Sequence, residues 1–302
     1  MSDAQYRAQV ALLVRILPLL DSEPDFALKG GTAINLFWRD LPRLSVDLDL
    51  TYLPLADRRT SLMAIDAGLR RLAERIPAQI RGAVVDMQGG AEGVHRLLVR
   101  AGGTQVKIEV TPVLRGVVFA PERRRVSPRV EDAFGFAEVT LVSFADLYAG
   151  KMVAALDRQH PRDLFDVRDL LATEGLTRPL IEAFLVYLVS HNRPMAEVLA
   201  PNRKELAEDF QRTFVGMSEV PVELDDLLQA REALIAGVHA ALTETDRRFL
   251  LGVKTGAPDW SLVGLPDAAA LPAVQWKMTN LARLEPPRRQ ALADRLREVL
   301  GL

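Results

Sequence analysis

The hydrophobic positions in the first third of the chain follow a helical period and then a strand period. Apolar residues recur at helical spacing over residues 6–20, which predicts an amphipathic helix that ends at the break of residues 21–24. A short apolar segment, 26–28, then runs into Gly30 and Gly31, and residues 33–38 have a helix-forming composition. Over 46–52 apolar and acidic positions alternate with period two, which is typical of a strand. The predicted order is strand or turn, glycine loop, helix, strand.

The remaining patterns divide the chain into two halves. Residues 61–76 predict a helix, and three alternating segments separated by glycine pairs predict strands at 83–87, 94–100 and 105–110. Helical patterns dominate from residue 143 onward, at 162–172, 180–190, 204–210, 224–242 and 287–300. We therefore predict an α/β (α+β) fold, with a mixed α/β domain at 1–142 and a mainly helical domain at 143–302. The length of 302 residues agrees, since it is about twice that of a typical domain.

Composition excludes several classes of protein. The chain has no cysteine, which excludes disulfides, thiolate zinc sites and a cysteine nucleophile. Its net charge of −2 encodes no global attraction to nucleic acid or to a membrane. Apolar runs are too short for a membrane span, and the N-terminal segment has the pattern of a helix and not of a signal peptide. We expect a cytoplasmic protein without a membrane partner.

The strongest candidate chemistry combines a glycine turn with a pair of acids. Gly30 and Gly31 allow a close approach of backbone amides to phosphate, and the following helix N-terminus favours an anion. Asp47 and Asp49, two positions apart on a strand, share a face and present the hard oxygen ligands that Mg²⁺ prefers. Thr32 completes the turn as a phosphate ligand or as a helix cap. Either motif alone is commonly a turn or a solvated strand edge, but together they favour a metal and triphosphate site.

These residues belong to a longer series of motifs that resembles the AbiEii/AbiGii toxin family, which includes the MenT toxins, within the nucleotidyltransferase superfamily. The resemblance extends over nearly the whole chain. Its motifs lie at residues 26–33, 35–37, 42–49, 106–110, 151, 162–166, 258–260 and 275–277. It implies a nucleotidyltransferase-like mixed sheet flanked by helices, followed by a helical domain that contributes to the active-site cleft.

The resemblance also implies an activity, a cofactor and partners. Such an enzyme, of the nucleotidyltransferase subclass, transfers a nucleoside monophosphate from a nucleoside triphosphate (NTP) to an acceptor with release of pyrophosphate. Mg²⁺ or Mn²⁺ is the expected cofactor, the 3′ end of tRNA the expected acceptor, and arrested translation the expected outcome. A toxin-antitoxin system implies a cognate antitoxin, although direct contact with it is not implied. A protein or small-molecule acceptor, such as an aminoglycoside, and a catalytically silent nucleotide-binding regulator are the alternatives.

The resemblance gives further residues a role. Glu109 is a candidate third metal ligand, with a surface charge paired to a basic neighbour as the alternative. Lys151 is a phosphate ligand, and either Asp163 or Asp166 enters the site as a general base or orients Lys151. Arg43 is a candidate phosphate clamp or an exposed loop arginine. The predicted catalytic set is Asp47, Asp49, Lys151, Asp163 and Asp166, the metal set Asp47, Asp49 and Glu109, and the nucleotide set Gly30, Gly31, Thr32, Arg43, Ser45 and Lys151.

Overall fold

The alternating segments form strands in the structure, a computed structural model that describes residues 3–302. The strands are β1 (Phe26–Lys29), β2 (Asp47–Tyr52), β3 (Val84–Gly90), β4 (Gly93–Ala101), β5 (Thr104–Val110), β6 (Glu122–Arg125) and β7 (Glu138–Leu141). They form one sheet in the order β3-β4-β5-β2-β1-β7-β6. The central strand β2 runs antiparallel to β1 and parallel to β5. The predicted mixed sheet is confirmed.

Helices belong to the same N-terminal unit as this sheet. They are α1 (Asp3–Leu20), α2 (Gly30–Ala33), α3 (Arg58–Gln79) and α4 (Pro128–Phe134). Helix α1 packs against β5 and β7, and α3 packs against β3 and β4. Leu48, Leu50 and Ile108 alternate with the charged positions of β2 and β5 and are fully buried. Because side chains on a strand alternate between faces, the charged positions lie on the other face.

Two parts of this unit differ from the prediction. The helix predicted at 33–38 begins at Gly30, so the two glycines form its first turn, and residues Ile34–Trp38 continue it as a π-helical turn. Strands β6 and β7 and helix α4 were not predicted. Strand β6 pairs only with β7 at the edge of the sheet and contains three consecutive arginines, so it carries no apolar alternation.

The chain divides into two units after Ser143, and the second unit, Phe144–Leu302, is helical. Its helices are α5 (Phe144–Asp157), α6 (Pro161–Thr173), α7 (Arg178–Ser190), α8 (Met195–Leu199), α9 (Ala207–Thr213), α10 (Leu224–Ala241), α11 (Glu244–Thr255), α12 (Pro272–Ala282) and α13 (Pro286–Leu300). Helix α5 packs against α6, α7, α8 and α10. Helices α8, α11 and α12 were not predicted. None of the helices within 3–302 is long and apolar enough to cross a membrane.

Candidate active site

The glycine turn contacts one of the two strand acids directly. Gly30 has a φ of 77°, in the left-handed region that favours glycine. A Cβ atom at Gly30 would collide with Oδ2 of Asp49, and one at Gly31 would lie 2.9 Å from Oγ of Ser45 and 2.9 Å from Nη2 of Arg43. Both glycines are therefore needed for the chain to pass this closely beside the acid and the arginine. The glycine turn and the acid pair therefore lie side by side.

Hydrogen bonds fix the segment that leads into β2. The buried Thr32 hydroxyl donates to the backbone carbonyl of Asp47 at 2.5 Å and lies 3.1 Å from Oγ of Ser45. The N-terminal cap of α2 is Lys29, so Thr32 does not cap this helix. The backbone N–H of Ser45 donates to the hydroxyl of Tyr6 at 3.1 Å. Burial raises the pKa of Tyr6 to about 12, although that N–H and the charge of Arg43 oppose the shift.

Arg43 is part of this segment and is not an exposed loop residue. Its side chain is buried, and Nη1 donates to the carbonyl of Leu44 at 2.8 Å. A buried guanidinium carries a permanent charge, which has to be compensated by nearby acceptors or anions. Arg43 therefore places positive charge beside Gly31.

The two acids share a face of the sheet with further charged residues. Asp49 lies directly opposite Lys29 of β1 and Glu109 of β5, and Asp47 lies opposite Lys107. Arg96 of β4 lies opposite Glu109. Residues opposite each other in a sheet point to the same side, and so do residues two apart on one strand. The predicted common face of Asp47 and Asp49 is confirmed.

Glu109 is held by two cations. Its carboxylate lies 2.7 Å from Nη2 of Arg96 and 3.0 Å from Nζ of Lys107. Burial alone would raise the pKa of Glu109, but the hydrogen bonds and charges of Arg96 and Lys107 lower it below its usual range. Glu109 therefore pairs with basic neighbours, which was the alternative expected from the sequence. Its role as a metal ligand stays a prediction.

Lys29 is a further residue of the site that the sequence did not assign. It is half-buried, and its Nζ lies 3.5 Å from the hydroxyl of Thr111. Burial lowers the pKa of Lys29, while the charges of Asp49 and Glu109 oppose the shift. Its position opposite Asp49 could have been found from strand pairing, but not from periodicity alone.

The other predicted residues form a buried cluster in the helical unit. Nζ of Lys151, on α5, lies 2.7 Å from Oδ1 of Asp163 and 2.9 Å from Oδ2 of Asp166, both on α6. All three side chains are at most 8% exposed, which excludes a surface lysine. Burial would raise the pKa of Asp163, but Lys151 and Arg158 hold it well below its usual range. The sequence could not decide which of the two acids accompanies Lys151, and in the structure both contact it.

Comparisons with known proteins identify the family. A family model described as "Nucleotidyl transferase AbiEii toxin, Type IV TA system" matches residues 11–280. The chain belongs to the AbiEii family of nucleotidyltransferase toxins. Among solved structures it is similar to MenT4, a nucleotidyltransferase toxin from Mycobacterium tuberculosis H37Rv, with 18% identity and a TM-score of 0.62 over 99% of this chain and 95% of that one. No curated protein sequence matches it.

The family assignment confirms the resemblance inferred from the motifs, and the similarity to MenT4 confirms the predicted fold. The AbiEii chain is thus a nucleotidyltransferase toxin of a type IV toxin-antitoxin system. Membership of that family implies an NTP substrate, a divalent metal and an antitoxin partner.

The acid pair of this AbiEii chain fits a magnesium ion that binds together with its substrate. Across residues 3–302, no three or more His, Asp or Glu side chains are arranged to hold a metal ion. Magnesium sites commonly use one or two carboxylates and take their other ligands from substrate phosphates and water. Asp47 and Asp49 match that donor set. The ammonium of Lys107, 3.5 Å from Oδ2 of Asp47, shows that a cation is accommodated beside the pair.

Proposed function

We propose that this toxin is a magnesium-dependent enzyme that transfers a nucleoside monophosphate from an NTP to the 3′ end of tRNA and thereby blocks translation. The observation that carries the proposal is the close contact between Gly30 and Asp49. The two are so close that a Cβ atom at Gly30 would collide with the Asp49 carboxylate. This contact puts an anion-binding turn beside a carboxylate pair. A metal-bound triphosphate requires both within one site.

The residues of the α/β unit take separate roles. The Gly30 and Gly31 amides and the Thr32 segment bind the triphosphate at the N-terminus of α2, and Ser45 fixes that segment against β2. Asp47 and Asp49 hold Mg²⁺ or Mn²⁺. When bound, such an ion neutralises phosphate charge and lowers the pKa of the attacking hydroxyl.

Two basic residues lie beside the turn, one acting on the triphosphate and the other on the acid pair. The buried guanidinium of Arg43 lies next to Gly31, so its charge attracts the triphosphate toward the turn. Lys29 lies opposite Asp49 and offsets part of the negative charge of the acid pair. Glu109 lies on the neighbouring strand, and its predicted role as a third metal ligand would require its release from Arg96 and Lys107. In the structure its carboxylate contacts both Arg96 and Lys107, and Lys107 also contacts Asp47 itself.

In the helical unit, Lys151 is the proposed ligand of the leaving pyrophosphate. Its contacts with Asp163 and Asp166 use two of the three N–H donors of an ammonium group, so one donor is left for a phosphate oxygen. The lowered pKa of Asp163 makes this carboxylate a weak base at neutral pH. We therefore assign Asp163 to positioning Lys151 and not to general-base catalysis.

A labelling assay tests this function. The full chain is incubated with Mg²⁺, each of the four α-³²P NTPs and total tRNA, and the RNA is separated on a denaturing gel. We expect label on tRNA with one preferred nucleotide and release of pyrophosphate, and no label with Asp49→Asn. Label on polypeptide or on a small molecule, with unlabelled tRNA, would show that the acceptor is not tRNA. NTP binding without pyrophosphate release would contradict transfer altogether.

Toxicity is tested separately from the transfer reaction. Family membership implies a cognate antitoxin, and in a type IV system neutralisation need not involve contact with the toxin. Expression of the chain alone should arrest growth, and Asp49→Asn should relieve the arrest. Growth arrest that persists with Asp49→Asn would show that toxicity does not come from the proposed transfer.

A further inference from the structure

A lysine lies among the acids of the site. Nζ of Lys107 is 3.5 Å from Oδ2 of Asp47 and 3.0 Å from Oε2 of Glu109. Lys107 lies opposite Asp47 in the parallel pair of β2 and β5, and Glu109 follows it by two positions on the same face. Its ammonium therefore bridges carboxylates of two neighbouring strands. The side chain of Lys107 is 30% exposed, so solvent and ions reach it.

Three carboxylates on one face of a sheet need compensating positive charge. Asp47, Asp49 and Glu109 carry three negative charges on adjacent strands, and leaving them partly desolvated without counter-charge would be costly. Lys107 supplies one positive charge between two of these acids, and Arg96 holds the other side of Glu109 at 2.7 Å. In this arrangement Lys107 is one of the counter-ions of the acid cluster, beside Arg96 and Lys29, and it is the one that contacts both Asp47 and Glu109.

A divalent cation and this ammonium compete for the same oxygens. Both bind carboxylate lone pairs, and two positive charges within 3 to 4 Å of one carboxylate repel each other. The ammonium is attached to a flexible side chain of four methylene groups, so it can leave the acids without any movement of β5. Displacement by a metal ion therefore needs only a change of side-chain rotamer.

We propose that Lys107 is an intramolecular competitor of the divalent metal, which occupies the acid cluster until the ion displaces it. The inference rests on the proposed function, because it takes Asp47 as a metal ligand. It assigns Lys107 to the control of metal affinity. A strand lysine that only formed ion pairs with its neighbours would not have this role. The AbiEii chain then binds metal more weakly than its acids alone would.

The strand next to Lys107 offers a matched control. Arg100 lies on β4 four residues after Arg96, so it points to the same face of the sheet. Its Nε donates to the side-chain oxygen of Gln105 at 2.8 Å. Arg100→Met and Lys107→Met each remove one positive charge from this face. The hydrogen bond lost with Arg100 goes to the side-chain amide of Gln105 and not to a carboxylate of the acid cluster.

The experiment measures Mn²⁺ binding to the full chain without nucleotide, by the electron paramagnetic resonance signal of free Mn²⁺. Wild type, Lys107→Met, Arg100→Met and Asp49→Asn are compared. We expect Lys107→Met to bind Mn²⁺ at least about fivefold more tightly than wild type, as the loss of a unit charge at 3 to 4 Å implies. Arg100→Met should stay within about twofold, because its charge is more distant and screened. Asp49→Asn should abolish binding.

Each outcome bears on the inference. Equal affinities of wild type and Lys107→Met, with binding lost in Asp49→Asn, overturn the role of Lys107 and leave the metal site intact. Tightening by Arg100→Met to the same extent also overturns it, since the effect would then be one of overall charge. Mn²⁺ binding that is absent from both wild type and Lys107→Met overturns the inference, since removal of the competitor should then have exposed the acids; it leaves the metal site, which takes its other ligands from substrate phosphates. Binding that is unaffected by Asp49→Asn overturns both the metal site and the inference. Lys107→Gln, checked by circular dichroism, repeats the test if Lys107→Met unfolds.

Discussion

Replacing Gly30 by alanine should damage the acid pair through a single added carbon. Gly30 has a φ of 77°, where any residue with a Cβ is strained by about 1–2 kcal/mol. The added Cβ would overlap Oδ2 of Asp49, so that carboxylate has to move. A displacement of about 1 Å at a catalytic group commonly costs about 100-fold in rate. We therefore expect Gly30→Ala to lose about two orders of magnitude in nucleotide transfer.

Gly82 provides a control with the same backbone strain. Its φ is also 77°, but a Cβ there would meet nothing within 4 Å. Gly30→Ala and Gly82→Ala should both lose about 1–2 kcal/mol of stability from backbone strain, which lowers Tm by about 2–8 °C. Only Gly30→Ala should lose transfer activity, because only this substitution reaches Asp49.

The assay combines thermal melting with initial rates of label transfer from an α-³²P NTP, measured well below both transitions. Equal transfer rates for the two variants would contradict the role of the Gly30–Asp49 contact, since backbone strain alone would then explain any loss. Wild-type transfer by Gly30→Ala would also refute it, because the turn would not then constrain the Asp49 carboxylate.

Three further substitutions test interactions that stabilise the two units, and each is measured by urea unfolding of the full chain. Lys151→Met leaves two buried carboxylates without their shared cation and should cost about 3–5 kcal/mol; an unchanged midpoint would contradict the buried ion pair. The pKa of Asp163 is lowered by folding, so its stabilisation is complete above the ordinary value of about 3.9 and is lost as pH falls below it. Between pH 5 and pH 3, wild type should therefore lose stability more steeply than Asp163→Asn, and equal slopes would argue against that shift. Tyr6→Phe removes the acceptor of the Ser45 N–H and should cost about 1 kcal/mol, whereas no loss would mean that solvent replaces this bond.

The acid pair could be predicted because its geometry depends on the backbone alone. Any extended segment places residues two apart on one face, so Asp47 and Asp49 had to project together once residues 46–52 formed a strand. The buried positions Leu48 and Leu50 fixed which face was apolar. The position of Gly30 beside Asp49 is different, since it depends on the pairing of β1 with β2.

Other parts of the site depend on contacts between distant segments, which periodicity does not encode. Tyr6 reaches Ser45 from α1, a separation of 39 residues, and nothing in its local pattern distinguishes it from a packing aromatic. Lys29 and Arg96 joined the acids through strand register. The first turn of α2 was misplaced because two glycines weaken a helix by propensity, whereas here Gly30 and Gly31 are required by the close approach of Asp49 and Arg43.

The most direct test of the account is the position of a divalent ion in a crystal of the full chain with Mn²⁺ and a non-hydrolysable NTP analogue. Anomalous scattering locates Mn²⁺ without reference to the expected ligands. We predict an ion about 2.0–2.3 Å from a carboxylate oxygen of both Asp47 and Asp49, with the triphosphate at the Gly30 turn. A bound analogue whose Mn²⁺ ions leave both carboxylates uncoordinated would contradict it.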